Sequence, residues 1–354
     1  MILGAEGTPR VIAEIILVVV VLGWALYIFF NIRSGRREVA SEIELAPNRS
    51  PYLSDEELEG PKIFRVQLMG VGLLFVLAVG LPLYWILEPG RQAGAKAAWD
   101  ARFADWGAQL FDTTANGGFN CAGCHGGMKA VGGVAPYTIN DPATGQAEPV
   151  QWKAPALNTA LLRFRPEELT TIITYGRPFS PMSAWGVAGG GPMNDQQIQT
   201  IVEYIKSIQL CRFDTTTLCD EANKGATDAA QQAYDAALAD YNAGKRATKP
   251  TMGEILFNLD YASGAYSCAR CHTAGWSYDD PQPSGIGAYG PALIGGATTS
   301  NFPDPADHYD FVSQPPGVGK KYGAQNQQFK PMPAFGRILT EEQISAIVDY
   351  ERGL

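Results

Sequence analysis

The chain has 354 residues, enough for two or three domains, with 18 % charged and 46 % hydrophobic residues and a formal net charge of -9. That acidic balance excludes binding to nucleic acid, or to an anionic membrane surface, through charge, and it suits a basic docking partner. Of six cysteines and three histidines, four and two fall in one repeated five-residue pattern, so little remains for any other metal chemistry.

Two apolar runs come first. Val11 to Ile32 carries a single charge, Glu14, and Val66 to Leu87 carries none. Each is long enough to cross a hydrocarbon core of about 30 Å as a helix. Trp24, Tyr27, Phe29 and Phe30 in the first run, and Tyr84 and Trp85 in the second, sit towards the ends as interfacial anchors do. The first run is too long, and too weakly basic at its start, for a cleaved signal peptide. The expectation for residues 1–90 is a transmembrane hairpin of two retained helices. The intervening loop holds Arg33, Arg36, Arg37, Arg49, Lys62 and Arg65, whereas the N-terminal tail has Arg10 alone. The positive-inside rule puts that loop in the cytoplasm and everything after Leu87 outside. Glu14, near the outer edge of its helix, reaches the interface.

After Glu88-Pro89-Gly90 the composition becomes that of a water-soluble protein rich in Gly and Pro, and an internal repeat emerges. "WGAQLFDTTANGGFNCAGCHG" from Trp106 aligns with "MGEILFNLDYASGAYSCARCHT" from Met252. "APALN" from Ala154 aligns with "GPALI" from Gly290, and "SPMSAWG" from Ser180 with "KPMPAFG" from Lys330. Each copy closes with a predicted helix, "NDQQIQTIVEYIKSI" from Asn194 and "TEEQISAIVDYERGL" from Thr340. Asn194 and Thr340 are good N-caps. Ile198, Ile201, Val202 and Ile205 make one apolar face, and Ile344, Ile347 and Val348 make the other. The copies occupy residues 100–210 and 250–354, and residues 211–249 form a linker whose Ala-rich middle predicts a short polar helix. Cys211 and Cys219 bracket seven residues of it, and outside the cytoplasm a disulfide is the default for such a pair.

The repeated pattern is Cys121-Ala-Gly-Cys124-His125 and Cys268-Ala-Arg-Cys271-His272. A zinc site needs four ligands, usually two cysteine pairs close together, and these pairs lie far apart in separate copies. A thioredoxin-like dithiol needs a βαβ context, which is absent. Covalent haem c attachment needs two thiols on adjacent helical turns to reach two vinyl groups, with the histidine beneath the iron. On the other face Met182 and Met332 are the candidates, 57 and 60 residues after their histidines. A thioether ligand favours the ferrous state and raises the potential. An isolated Met is usually core packing, but an equivalent Met in both copies weighs against that. Met193 is a rival without a counterpart in the second copy, and His308, in "PADHYDF", is expected as a surface residue on a polar loop. Pro155 and Pro291 offer carbonyls that can fix the free N–H of each proximal imidazole.

With these motifs each copy resembles a class I cytochrome c domain: N-terminal helix, "CxxCH", "GPxL", axial Met in "PMPAFG", C-terminal helix. The first copy departs in "APALN" and in a long insertion between His125 and Pro155. The resemblance implies an all-α protein, a two-helix transmembrane hairpin followed by two class I cytochrome c domains, with two covalently bound haem c groups. Cys121, Cys124, His125, Met182, Cys268, Cys271, His272 and Met332 would hold them. The layout is similar to membrane-bound dihaem c subunits of bacterial respiratory complexes. One such subunit works with cytochrome b and Rieske-type subunits in quinol oxidation; the other belongs to the cbb class of haem-copper oxidases. The latter usually carries "LDNPLP–WW" before its last membrane helix, where this chain reads "YLSDEELEGPKIFRVQ". Both imply a non-catalytic electron-transfer subunit in the bacterial cell membrane, with its haem domains on the extracytoplasmic side and an oxidase or soluble electron carrier as acceptor. Two rivals differ in chemistry or partner. A dihaem peroxidase needs an iron with an open sixth position, against which the paired methionines and scarce histidines count. A periplasmic dehydrogenase would use the same chain as its cytochrome subunit.

Overall fold

The structure is a computed structural model that describes residues 7–38, 54, 56, 58–141, 144–210, 220–328 and 331–354. The chain forms two compact units, Met1–Arg91 and Gln92–Leu354. The first contains helix α1 (Gly7–Glu38) and the beginning of α2 (Ile63–Phe111). Its apolar side chains face outward on every side: Val19, Leu22 and Trp24 of α1, and Leu74, Trp85 and Ile86 of α2, are all more than half exposed. A surface helix of a globular core shows one apolar stripe instead. Among the described residues one helix, Glu59–Phe111, is long and apolar enough to cross a membrane, and α1 supplies a shorter apolar stretch, Val18–Phe30. The sequence reading has two full-length runs. Pro82 and Pro89 lie within α2, and each removes a backbone donor from it.

The second unit continues with α3 (Cys121–His125), β1 (Gly133–Asn140), β2 (Ala147–Ala154), α4 (Ala160–Arg163), α5 (Pro166–Tyr175) and α6 (Asp195–Ser207). Then come α7 (Asp220–Asn242), α8 (Met252–Phe257), α9 (Ala269–His272), α10 (Ala297–Asn301), α11 (Pro305–Ser313), the two-residue strands β3 (Lys321–Tyr322) and β4 (Gln327–Gln328), and α12 (Glu341–Arg352). Two apolar cores form. Phe111, Ile173, Ile198, Ile201 and Ile205 anchor one, and Leu256, Phe257, Ile344, Ile347 and Val348 anchor the other. The closing helices α6 and α12 start on capping boxes, Asn194 with Gln197 and Thr340 with Gln343, which satisfy two of the backbone N–H groups a helix start leaves open.

One contact closes both copies. A Cβ on Gly107 of α2 would stand 1.9 Å from the carbonyl oxygen of Thr200 in α6, and a Cβ on Gly253 of α8 would stand 1.9 Å from that of Ala346 in α12. Beside each glycine an aromatic pair locks the crossing, Phe111 with Tyr204 at 5.1 Å and Phe257 with Tyr350 at 5.3 Å between ring centroids. Only a residue without a side chain lets the two backbones meet there.

The insertion between His125 and Pro155 adds a small strand element to a mostly helical chain. It is an antiparallel hairpin in which Gly133 pairs with Ala154 and Tyr137 with Val150. Val134, Tyr137, Ile139, Val150 and Trp152 favour a pleated ribbon. Tyr137 packs on Trp152, which in turn packs on Tyr278 of the second copy at 5.2 Å, so the ribbon has a partner to lie on. The linker also differs from the expectation of a short helix. Helix α7 runs 23 residues and buries Ala226 and Ala230 in the second core. Ala156 and Leu162 of the first copy enter that same core. Cys211 and Cys219, the expected disulfide pair, lie outside the described residues.

The glycine crossings yield a test whose sign is informative. Helix propensity alone makes Gly→Ala stabilising by about 0.5–1 kcal/mol. Overpacking at a backbone contact costs about 1–3 kcal/mol. Gly107→Ala and Gly253→Ala should therefore each lower the thermal unfolding midpoint of the purified protein. A rise in either midpoint would remove that crossing as a constraint on the fold.

Candidate functional site

In the first copy Asn120 sits in the left-handed region with φ 67°, and it turns the chain into α3, a helix of five residues. This short turn carries Cys121, Cys124 and His125, and Gly126, at φ 86°, ends it. Nδ1 of His125 lies 2.9 Å from the carbonyl oxygen of Pro155. A carbonyl only accepts, so Nδ1 carries the proton and Nε2 keeps the free lone pair. Burial pushes the His125 imidazole down to about 4, a shift opposed by the Pro155 hydrogen bond and reinforced by the charges of Arg270 and Arg163. At neutral pH the ring is neutral, the form that ligates a metal.

The second copy repeats the arrangement on α9. Nδ1 of His272 lies 2.8 Å from the carbonyl oxygen of Pro291. The preceding Gly290 donates its N–H to the carbonyl of Cys271 at 2.7 Å. A Cβ on Gly290 would approach Cε1 of His272 to 2.7 Å, so the imidazole rests directly on glycine backbone. The first copy has Ala154 at the aligned position, where the chain leaves β2.

The four thiols of the two motifs are free. Burial pushes Cys121 up to about 11, raises Cys124, and raises Cys268 well above the usual thiol value. A redox dithiol works in the opposite direction, with a thiolate stabilised near neutrality. Protonated thiols beside a neutral imidazole fit thioether attachment and axial ligation of a haem.

The methionine loops are placed alike. Met182 and Met332 are each partly buried against the core of their own copy. The Met182 loop is tied by the Arg177 N–H, which donates to the Met182 carbonyl at 2.8 Å, and by Ser180, whose hydroxyl donates to the Arg177 carbonyl at 2.8 Å. Met193 occupies a different environment. It is fully buried, and its N–H donates to the Trp185 carbonyl at 2.7 Å. His308 is not the surface loop residue expected from its neighbours. It lies on α11 at 2 % exposure, with Nε2 3.0 Å from a Glu351 carboxylate oxygen and its ring stacked on Phe302. A polar surrounding sequence hid this, because Glu351 comes from the last helix of the chain.

Three arginines were not singled out by the motifs, yet they lie among these groups. Arg270 donates to the carbonyls of Ser263 and Lys153, Arg163 to that of Ala156, and Arg177 to that of Pro331. Arg270 stands inside the second "CxxCH", and the other two flank α5; a lone arginine in a sequence carries no sign of what it touches.

Comparison with known proteins adds one match. Neither a curated protein nor a solved structure matches the chain. Residues 103–205 match the family described as cytochrome c oxidase, cbb3-type, subunit III. That segment, which holds α3, His125 and Met182, is similar to the cytochrome c domain of that family, and such a domain implies covalently bound haem c and electron transfer through it.

Proposed function

We propose that the chain is a membrane-anchored dihaem electron carrier of a bacterial respiratory chain, and that it relays electrons on the outer face of the membrane. The observation that carries this is the duplication: a thiol pair, an imidazole fixed by a proline carbonyl and a methionine loop occur in both copies. Cys121, Cys124, Cys268 and Cys271 would form the thioethers, His125 and His272 the proximal ligands, and Met182 and Met332 the distal ones. Haem c, when bound, supplies one-electron chemistry at iron, and the chain supplies ligation, burial and an anchor. The donor would be a quinol-oxidising complex with cytochrome b and Rieske-type subunits, and the acceptor a terminal oxidase or a soluble carrier. A second reading, subunit of a cbb-class oxidase, is favoured by the description of the family that matches residues 103–205. Purification in mild detergent, with identification of the copurifying subunits, separates the two.

The anchor would consist of α1 and the apolar part of α2, with the basic loop between them in the cytoplasm. Export of both cytochrome regions agrees with the site of haem c attachment, which lies outside the cytoplasm.

Ligation is tested by substitution. Met182→His and Met332→His should each retain covalent haem and lower the midpoint potential of one haem, because imidazole does not share the thioether's preference for ferrous iron. An unchanged sulfur-to-iron charge-transfer band in either variant would sink that assignment. Haem number is tested by intact mass: two haems on the native chain, and one on Cys121→Ala,Cys124→Ala or on Cys268→Ala,Cys271→Ala. Sidedness is tested by an impermeant thiol reagent on intact cells of a strain whose chain carries one added cysteine. Ala236→Cys, exposed on α7, should react, and Ser54→Cys should not. The reverse pattern would overturn the topology.

A further inference from the structure

The two copies meet along a seam of three arginines. Arg163 and Arg177 belong to the first copy and Arg270 to the second. Each ties its own copy to the other through backbone: the Ala334 N–H donates to the Arg163 carbonyl at 2.8 Å, Arg177 donates to the Pro331 carbonyl at 3.2 Å, and Arg270 donates to the Lys153 carbonyl at 2.6 Å. The three guanidinium groups lie within mutual electrostatic reach, and their charges also bear on His125 of the first copy and Cys271 of the second.

Among the described residues no carboxylate pairs with any of them. Asp260 lies near Arg270 but pairs with Lys153 at 2.7 Å. Arg163 is 4 % exposed, and its Nε has no hydrogen-bond partner. Arg177 stacks over the rings of Phe164 and Tyr289. Burial of Arg163 without a counter-ion depresses its affinity for a proton, to a value of about 10. Arg163 is buried and Arg177 and Arg270 are half-buried, and clustered like charges withdrawn from water without a partner are costly, so proteins ordinarily place an anion against them. Guanidinium groups match carboxylates in shape and donor number. A carboxylate on a docking protein cannot reach a residue as buried as Arg163. Each haem proposed above would carry two carboxylates, and the charges of Arg163 and Arg270 already act on His125, one of the residues that would hold it.

We propose that Arg163, Arg177 and Arg270 form one carboxylate-binding site at the seam between the copies, and that it holds propionate groups of the haems. This rests on the dihaem reading, and the test separates the two. The variants are Arg163→Gln, Arg177→Gln and Arg270→Gln, each in the full chain, with Arg177→Lys as the charge-retaining variant and exposed Lys245→Gln as the control. Haem is counted first by intact mass, and a native chain without haem fails the dihaem reading itself. In chains that carry haem, redox titration should show a lower midpoint potential for at least one haem in every Gln variant. A buried positive charge favours the reduced state, and its removal favours the oxidised one. Arg177→Lys should stay with the native protein. Potentials of the three Gln variants that match the Lys245→Gln control would overturn the proposal. Should Arg163→Gln or Arg270→Gln fail to accumulate, infrared spectra of the native holoprotein, made with haem 13C-labelled at its carboxyl carbons, decide the matter. Labelled carboxylates that stay ionised in both redox states, with bands that move in Arg177→Gln, support the site. A protonated labelled carboxyl, or bands unmoved in Arg177→Gln, overturns it.

Discussion

Both copies depend on two helix backbones meeting at a glycine. Gly107 against Thr200 and Gly253 against Ala346 leave no room for even one carbon. That contact brings the start of each copy, which leads into the thiol motif, onto its end, which follows the methionine loop. The imidazole and the methionine come from segments far apart in the chain, so the site proposed between them would need the crossing to form first. The paired rings Phe111–Tyr204 and Phe257–Tyr350 fill the space beside it. Aromatic pairs of this kind add about 0.5–1.5 kcal/mol beyond their buried area.

The local features were legible from the sequence because their causes are local. Asn194 and Thr340 cap their helices through residues three positions on. The "CxxCH" turns and the apolar faces of α6 and α12 depend on spacing within a few residues. The proline carbonyls were inferable because ligand chemistry demands an acceptor for each imidazole N–H, and His125 and His272 find theirs on Pro155 and Pro291. The hairpin at Gly133–Ala154 was not legible as a strand pair, since the ribbon is completed by Tyr278 more than a hundred residues later. His308 failed for the same reason: its partner is Glu351.

The arginine seam lies at the far end of that scale. Arg270 looks like a solvated charge in its motif, and Arg163 follows three buried positions of α4 as an ordinary helix end. Part of the surroundings of each comes from the other copy. The proposed carboxylate site would complete this charge, which the polypeptide alone leaves unpaired.

The shared second core has an evolutionary consequence. Ala156 and Leu162 pack there, and Lys153, next to the hairpin's end, offers its carbonyl to Arg270 and its ammonium to Asp260 and Asp279. Tandem domains strung on a linker can be shuffled by recombination, since each brings its whole interior along. Here a breakpoint at the repeat boundary would strip side chains from one interior and leave the Arg270 guanidinium without one of its two acceptors. Positions along this seam would be free to drift in sequence only in step with their partners in the other copy.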